Sequence, residues 1–128
     1  MKSRDSLIRL KRFHADDKRR QVAQIEAMIA EFERMAKELD DQIVAEQERS
    51  GIHDAGHFAY PTFAKAAMQR RDNLKTSAED LKAQLVAAQA ERDEAVAELE
   101  KAEAIAERDG IVEKGTAHSG SHRMAAGR

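Results

Sequence analysis

The residues with the clearest capacity for chemistry are histidines. His53 and His57 lie four apart with Asp54 between them, and His118 and His122 repeat that spacing. On a helix, a four-residue step puts two imidazoles on one face, an arrangement that suits zinc. Both pairs here fall in glycine-containing stretches, SGIHDAGHFAYPT and GTAHSGSHRMAAGR. No helix fixes their spacing there and no third ligand is in place, so solvated histidines are expected and no metal or cofactor. His14 stands alone among charged residues. The chain has no cysteine, which removes thiolate chemistry and disulfides. It has no phosphate-cradling glycine loop and no nucleophile elbow. Its carboxylates are spread over solvated faces, with nothing to desolvate one into an acid catalyst. A non-enzymatic protein is expected.

The elements that position these residues are set by one stretch, Ser50 to Thr62. It holds the only proline, Pro61, the only tyrosine, Tyr60, two of the six glycines, and Phe58, with Phe63 just beyond. On each side runs a segment of more than 40 residues without glycine or proline. The chain of 128 residues is 36% charged, 41% hydrophobic and 4% aromatic, the profile of long helices or a coiled coil rather than of a thick globular core. A net charge of −2 gives no bulk attraction for nucleic acid, and none is expected as a partner. The basic run near the start is interrupted by acids and lacks interleaved aromatics apart from Phe13. No apolar run approaches the ~18 residues of a membrane span. The opening MKSRDSLIRLKRF lacks the apolar centre of a secretion signal. A cytoplasmic location is the expectation.

Heptad spacing organises both segments. Val22, Ile29, Ala36 and Ile43 take one core position of the first arm, and Ile25, Phe32 and Leu39 the other, on one stripe. Towards the start Ile8 and Ala15 continue the stripe, but Lys11 and Lys18 fall where apolar residues belong. In the second arm the stripe reads Ala67, Leu74, Leu81, Ala88, Ala95, Ala102, alternating with Ala64, Arg71, Ala78, Leu85, Arg92, Leu99, Ala106. These patterns predict an all-α fold, a long antiparallel two-helix coiled-coil hairpin over 1–109. Its arms are 3–49 and 62–109, with a turn at 50–62 and a disordered C-terminal tail at 110–128. Ser3 is the expected first cap, Gly51 the left-handed residue after the first helix, Pro61 or Thr62 the start of the second, and Gly110 its stop.

Charge selects the antiparallel pairing. Folding about Gly56 pairs seam residues whose numbers sum to about 113, so Phe32 meets Leu81, Leu39 meets Leu74 and Ala36 meets Ala78. Residues 4–22 carry seven Lys/Arg and three Asp/Glu, a net of +4, while 91–109 carry three and eight, a net of −5. Nearer the turn, 36–50 carry two and five, a net of −3, and 63–77 carry four and one, a net of +3. A parallel pairing would set like charges side by side. Because a two-stranded contact buries one stripe per helix, the hairpin is expected to be marginal alone and to gain stability from a partner.

Two regions offer interaction surfaces. Leu7, Leu10, Met28 and Met35 lie beside the seam, either as a wider core stripe or as a flank left for another molecule. Phe58, Tyr60 and Phe63 crowd the turn, either folded over the seam end around Ile43 and Ile52 or exposed to a partner, since aromatics dominate interface hot spots.

SLIRLKRF, RRQVAQIEAMIAEFERMAKEL and HFAYPTFAKAAMQRRDNL together resemble the flagellar type III export protein FliJ family, in its alphaproteobacterial form, over roughly residues 1–109. The resemblance implies a long antiparallel coiled coil similar to the central stalk of rotary ATPases. It implies that the rod inserts into the export ATPase hexamer and contacts the cytoplasmic domain of the membrane export gate, acting as a stalk and chaperone. Other export chaperones complete the implied partners; self-association, two hairpins side by side in a four-helix bundle, would separately cover Met28 and Met35. The location implied is cytoplasmic, peripheral to the cell membrane at the flagellar base. By this resemblance the ATPase ring meets Leu7, Leu10, Arg12, Leu99 and Ile105. The gate or another tip partner meets Met35, Gln42, Phe58, Tyr60, Phe63, Arg70 and Arg71. The alternatives are a general coiled-coil adaptor or holdase chaperone and, from another class, a basic-ended binder of nucleic acid or membrane.

Overall fold

Two helices account for most of the chain in the computed structural model, which describes residues 2–117, with side chains described for 3–110. α1 is Lys2–Ser50 and α2 is Thr62–Ala117, and they pack together as a helical hairpin. Ser3 lies inside α1 rather than ahead of it, so it does not cap the helix. Asp5 in the first turn still complements the helix dipole. α1 stops at Gly51, the residue with a positive φ of 75°, and its N–H donates to the Gln47 carbonyl at 2.8 Å. This is the left-handed end expected there. α2 opens one residue after Pro61, whose carbonyl accepts from the Lys65 N–H at 3.1 Å. Pro61 thus holds the cap position, and Thr62 is the first helical residue.

Gly110 does not stop α2, which continues to Ala117. A single glycine inside a helix costs about 1 kcal/mol against alanine, too little to end a helix alone. The rest of the expected disordered tail, 118–128 with His118 and His122, lies outside the described residues.

The hairpin divides into two compact units, one of residues 20–89 next to the turn, the other formed by residues up to Arg19 with those from Ala90. In the turn-side unit Leu39, Ile43 and Ala67 are buried together, with Met68 and Leu74 packed against them. Leu39 and Leu74 therefore share one cluster, as the register requires. Val22, Ile29, Ala36, Ala64, Ala78, Leu81 and Ala88 are also buried. In the end unit Ala15, Ala95 and Leu99 form the buried cluster, with Ile8 and Val96 against it. All of these except Met68 and Val96 are heptad seam positions. No large side chain of the described residues is completely buried, as expected where each helix hides only one stripe.

Ion pairs between the helices follow the charge pattern, and their polarity differs between the units. In the end unit the bases are on α1: Arg4 to Asp109 at 3.8 Å, Lys11 to Glu98 at 3.5 Å, Arg12 to Glu103 at 2.9 Å and Lys18 to Glu91 at 2.9 Å. In the turn-side unit they are on α2: Arg71 to Asp40 at 2.9 Å and Lys82 to Glu33 at 3.0 Å. Of the four polar seam residues, Lys11, Lys18 and Arg71 each reach an acid of the other helix, whereas Arg92 pairs with Asp93 of its own helix. The hydrogen bond from Lys18 to Glu91 pushes the lysine's pKa up. The bond from Arg71 to Asp40 does the same for that guanidinium.

Within α1, the hydrogen bond from Arg34 holds Glu31 below the usual carboxylate range, and Arg49 does the same for Glu46.

Two outcomes follow for stability. Leu39→Ala should destabilise the chain by about 2–3 kcal/mol in urea unfolding followed by circular dichroism, whereas Leu10→Ala, at an exposed position, should change it by less than about 0.5 kcal/mol. The carboxylates held low, Glu31 and Glu46, contribute stability that is complete above the unfolded pKa of about 4.3 and lost as pH falls through their lower folded values. The melting temperature should therefore be level from neutrality to about pH 5 and decline below about pH 4.

Candidate functional site

The turn is built by hydrogen bonds local to it. The Ser50 Oγ accepts from the Ile52 N–H at 3.2 Å. The Asp54 Oδ1 accepts from the Gly56 N–H at 2.9 Å, and the Asp54 carbonyl accepts from the His57 N–H at 3.0 Å. The His57 carbonyl accepts from the Tyr60 N–H at 3.0 Å, and its Nδ1 accepts from the Ala59 N–H at 3.0 Å. Short polar side chains thus satisfy backbone donors that no helix can serve. Asp54 and His57 act as turn-makers, and among the described residues no group of three or more His, Cys, Asp or Glu side chains is placed to hold a metal ion.

The aromatics of the turn separate into two roles. Tyr60 is buried, 6% exposed. Its hydroxyl accepts from the Gln47 Nε2 of α1 at 2.9 Å and donates to the Met68 Sδ of α2 at 3.4 Å. Tyr60 therefore closes the seam and ties the helices to the turn, and is not free for a partner. Phe58 is 96% exposed, its ring stacked on His57 with centroids 4.7 Å apart. Phe63, at the start of α2, is 55% exposed. Tyr60 is thus folded over the seam end, whereas Phe58 and Phe63 are exposed.

Of the residues assigned to a gate-facing surface, the structure brings Met35, Gln42 and Arg70 together. With Glu38 and Leu39 they line a groove of about 160 Å³ between the helices. Arg71 faces elsewhere, half-buried in the seam and bonded to Asp40 and Asp72, so its guanidinium is committed to the fold.

In the end unit, Leu7, Leu10 and Ile105 are exposed. Arg12 is exposed but paired with Glu103. Leu99 is 7% exposed and lies in the cluster with Ala15 and Ala95. It is a seam residue and presents nothing to a partner while the helices are packed. Phe13, 65% exposed, was not among the assigned residues. Its position two residues beyond seam position Lys11 and two before Ala15 puts it on the outer face, a signal that heptad phase alone contains.

No protein-family model, curated protein or solved structure matches the chain. No helix among the described residues is long and apolar enough to cross a membrane.

Replacing Tyr60 with phenylalanine should keep the ring in place and remove both hydroxyl contacts, lowering stability by about 1 kcal/mol in urea unfolding. Phe58→Ala should leave unfolding unchanged, because that ring is almost wholly in water. Equal losses from the two variants would refute the division of roles.

Proposed function

We propose that the protein is a non-catalytic stalk and chaperone of the flagellar type III export apparatus, coupling the export ATPase ring to the membrane export gate. The sequence resemblance to the FliJ family suggests this role. The observation that carries it here is an antiparallel two-helix hairpin with large apolar side chains exposed in both units. In the end unit Leu7, Leu10, Phe13 and Ile105 are the side chains that would meet the ATPase hexamer. Burying a leucine or phenylalanine of this kind contributes roughly 1.5–3 kcal/mol, so a few suffice for a reversible contact. In the turn-side unit the groove of Met35, Gln42 and Arg70, with exposed Phe63, would meet the cytoplasmic domain of the gate. The protein would act in the cytoplasm at the inner face of the cell membrane, at the flagellar base, and would carry no cofactor.

Mechanical coupling needs an element that transmits force without unfolding, and closely packed helices with cross-helix ion pairs suit it. A general adaptor or holdase would use the same exposed side chains but show no preference for an ATPase ring.

Deletion of the gene should abolish flagella and swimming, with wild-type complementation restoring both. Leu10→Glu should reduce co-purification with the export ATPase at least about tenfold, equivalent to some 1.4 kcal/mol, and leave gate binding intact. Phe63→Ala should do the reverse. Normal motility in the deletion strain, or no binding to either component, would overturn the assignment.

A further inference from the structure

The seams of the two units differ in chemistry. The turn-side seam buries Val22, Ile29, Leu39, Ile43, Tyr60 and Leu81 among others, and the turn ties its helices together. In the end unit the buried side chains among the described residues are Ala15, Ala95 and Leu99. Two of these are alanines, which remove little apolar area from water. Lys11 and Lys18 take seam positions there, and with His14, Glu91, Glu94 and Glu98 they line an open hollow of about 400 Å³ over Ala95. The pairs Arg4–Asp109, Lys11–Glu98, Arg12–Glu103 and Lys18–Glu91 join the helices, and their side chains are 21% to 55% exposed. Charge in contact with water thus does in this unit what apolar burial does in the other.

We infer that the end unit is a salt-sensitive clasp, in which α1 and α2 part as one local step while the turn-side unit stays packed. Local openings of this kind are drawn from the parts of a fold with few buried apolar contacts. Ionic strength sets how often the clasp opens. The screening length falls from about 10 Å at 0.1 M salt to about 3 Å at 1 M, which weakens exposed ion pairs and leaves an apolar seam intact. Once apart, the two segments lose the packing that supplies most of a helix's stability in water, so their backbone amides exchange. Opening also uncovers Ile8 and Leu99, which the closed end packs together with Ala15 and Ala95. The clasp therefore governs when these two side chains can be met by anything else. Ordinary fraying is a different process, because it advances residue by residue from each helix end and ignores the facing helix. The inference does not depend on a role in export.

Hydrogen exchange of the full chain, read amide by amide by NMR, tests this. Amides of Ala15 and Lys18 on α1 and of Ala95 and Leu99 on α2 should share one opening equilibrium. That opening should be at least about tenfold more frequent than the one exposing Ile29, Leu39 and Leu81. Raising sodium chloride from about 0.05 M to about 1 M should speed exchange in the end unit at least about fivefold relative to those turn-side amides. Glu91→Gln with Glu98→Gln should reproduce that acceleration at low salt. Lys11→Leu with Lys18→Leu, which supplies the missing apolar seam residues, should slow end-unit exchange at least about tenfold and reduce its salt dependence. With no cysteine in the chain, nitroxides on Ser6→Cys and Glu107→Cys give a second readout. A longer, broader distance population should grow with salt. Protection that climbs residue by residue from each helix end overturns the proposal. So does end-unit exchange indifferent to salt and to the glutamine substitutions, or a labelled distance that stays single and short at 1 M salt.

Discussion

Opposite charge facing across the helix pair is the constraint on which the rest of this structure depends. An alanine-rich seam on α2 offers shallow, similar holes at every heptad, so apolar packing alone discriminates poorly between registers and between hairpin and intermolecular pairing. The charges discriminate. In the end unit they also make the seam tenable, because Lys11 and Lys18 occupy core positions and reach Glu98 and Glu91 across it. Each such pair, part-exposed, is worth only about 0–1 kcal/mol. Their weight lies in the alternatives they penalise, since the same charges set like against like would turn a small gain into a comparable cost.

How much of this was legible in the sequence depends on which signal carried it. The seam was legible because period 3.5 is a long-range pattern, and the buried positions of both helices, from Ala15 to Leu99, fall on it. The register was legible because charge sign changes along each arm. The turn was only half legible. Phe58, Tyr60 and Phe63 lie within six residues, outside any period, and nothing in their order says that only Tyr60 finds partners, Gln47 and Met68, on both helices. Leu99 shows a different failure. Its heptad position already placed it in the seam, yet proximity to the helix end suggested a contact with a partner, and the local periodicity was the better guide. Gly110 reads as punctuation, yet one glycine costs a helix only about 1 kcal/mol, and α2 runs on to Ala117.

The turn gains its order from side chains rather than from glycine or proline alone. Gly51 supplies the one left-handed residue, but the following backbone is held by Ser50, Asp54 and His57. His57 is engaged within its own turn, its Nδ1 accepting from the Ala59 N–H, so its place in the sequence serves the turn geometry. The same scaffold holds Phe58 in water without letting it fold back, because Tyr60 already fills the end of the seam.

The asymmetry between the flanks links stability to binding. A hairpin that hides one stripe per helix has no spare apolar area to lose, so apolar residues beside the seam are stabilising only when something covers them. Met28, Met35 and Phe63 lie on the flank away from the Glu33–Lys82 and Asp40–Arg71 pairs, where the groove is lined by both apolar and charged side chains. A gate contact on this flank, as proposed, would cover side chains that the hairpin alone leaves in water, so binding and folding stability would rise together by mass action.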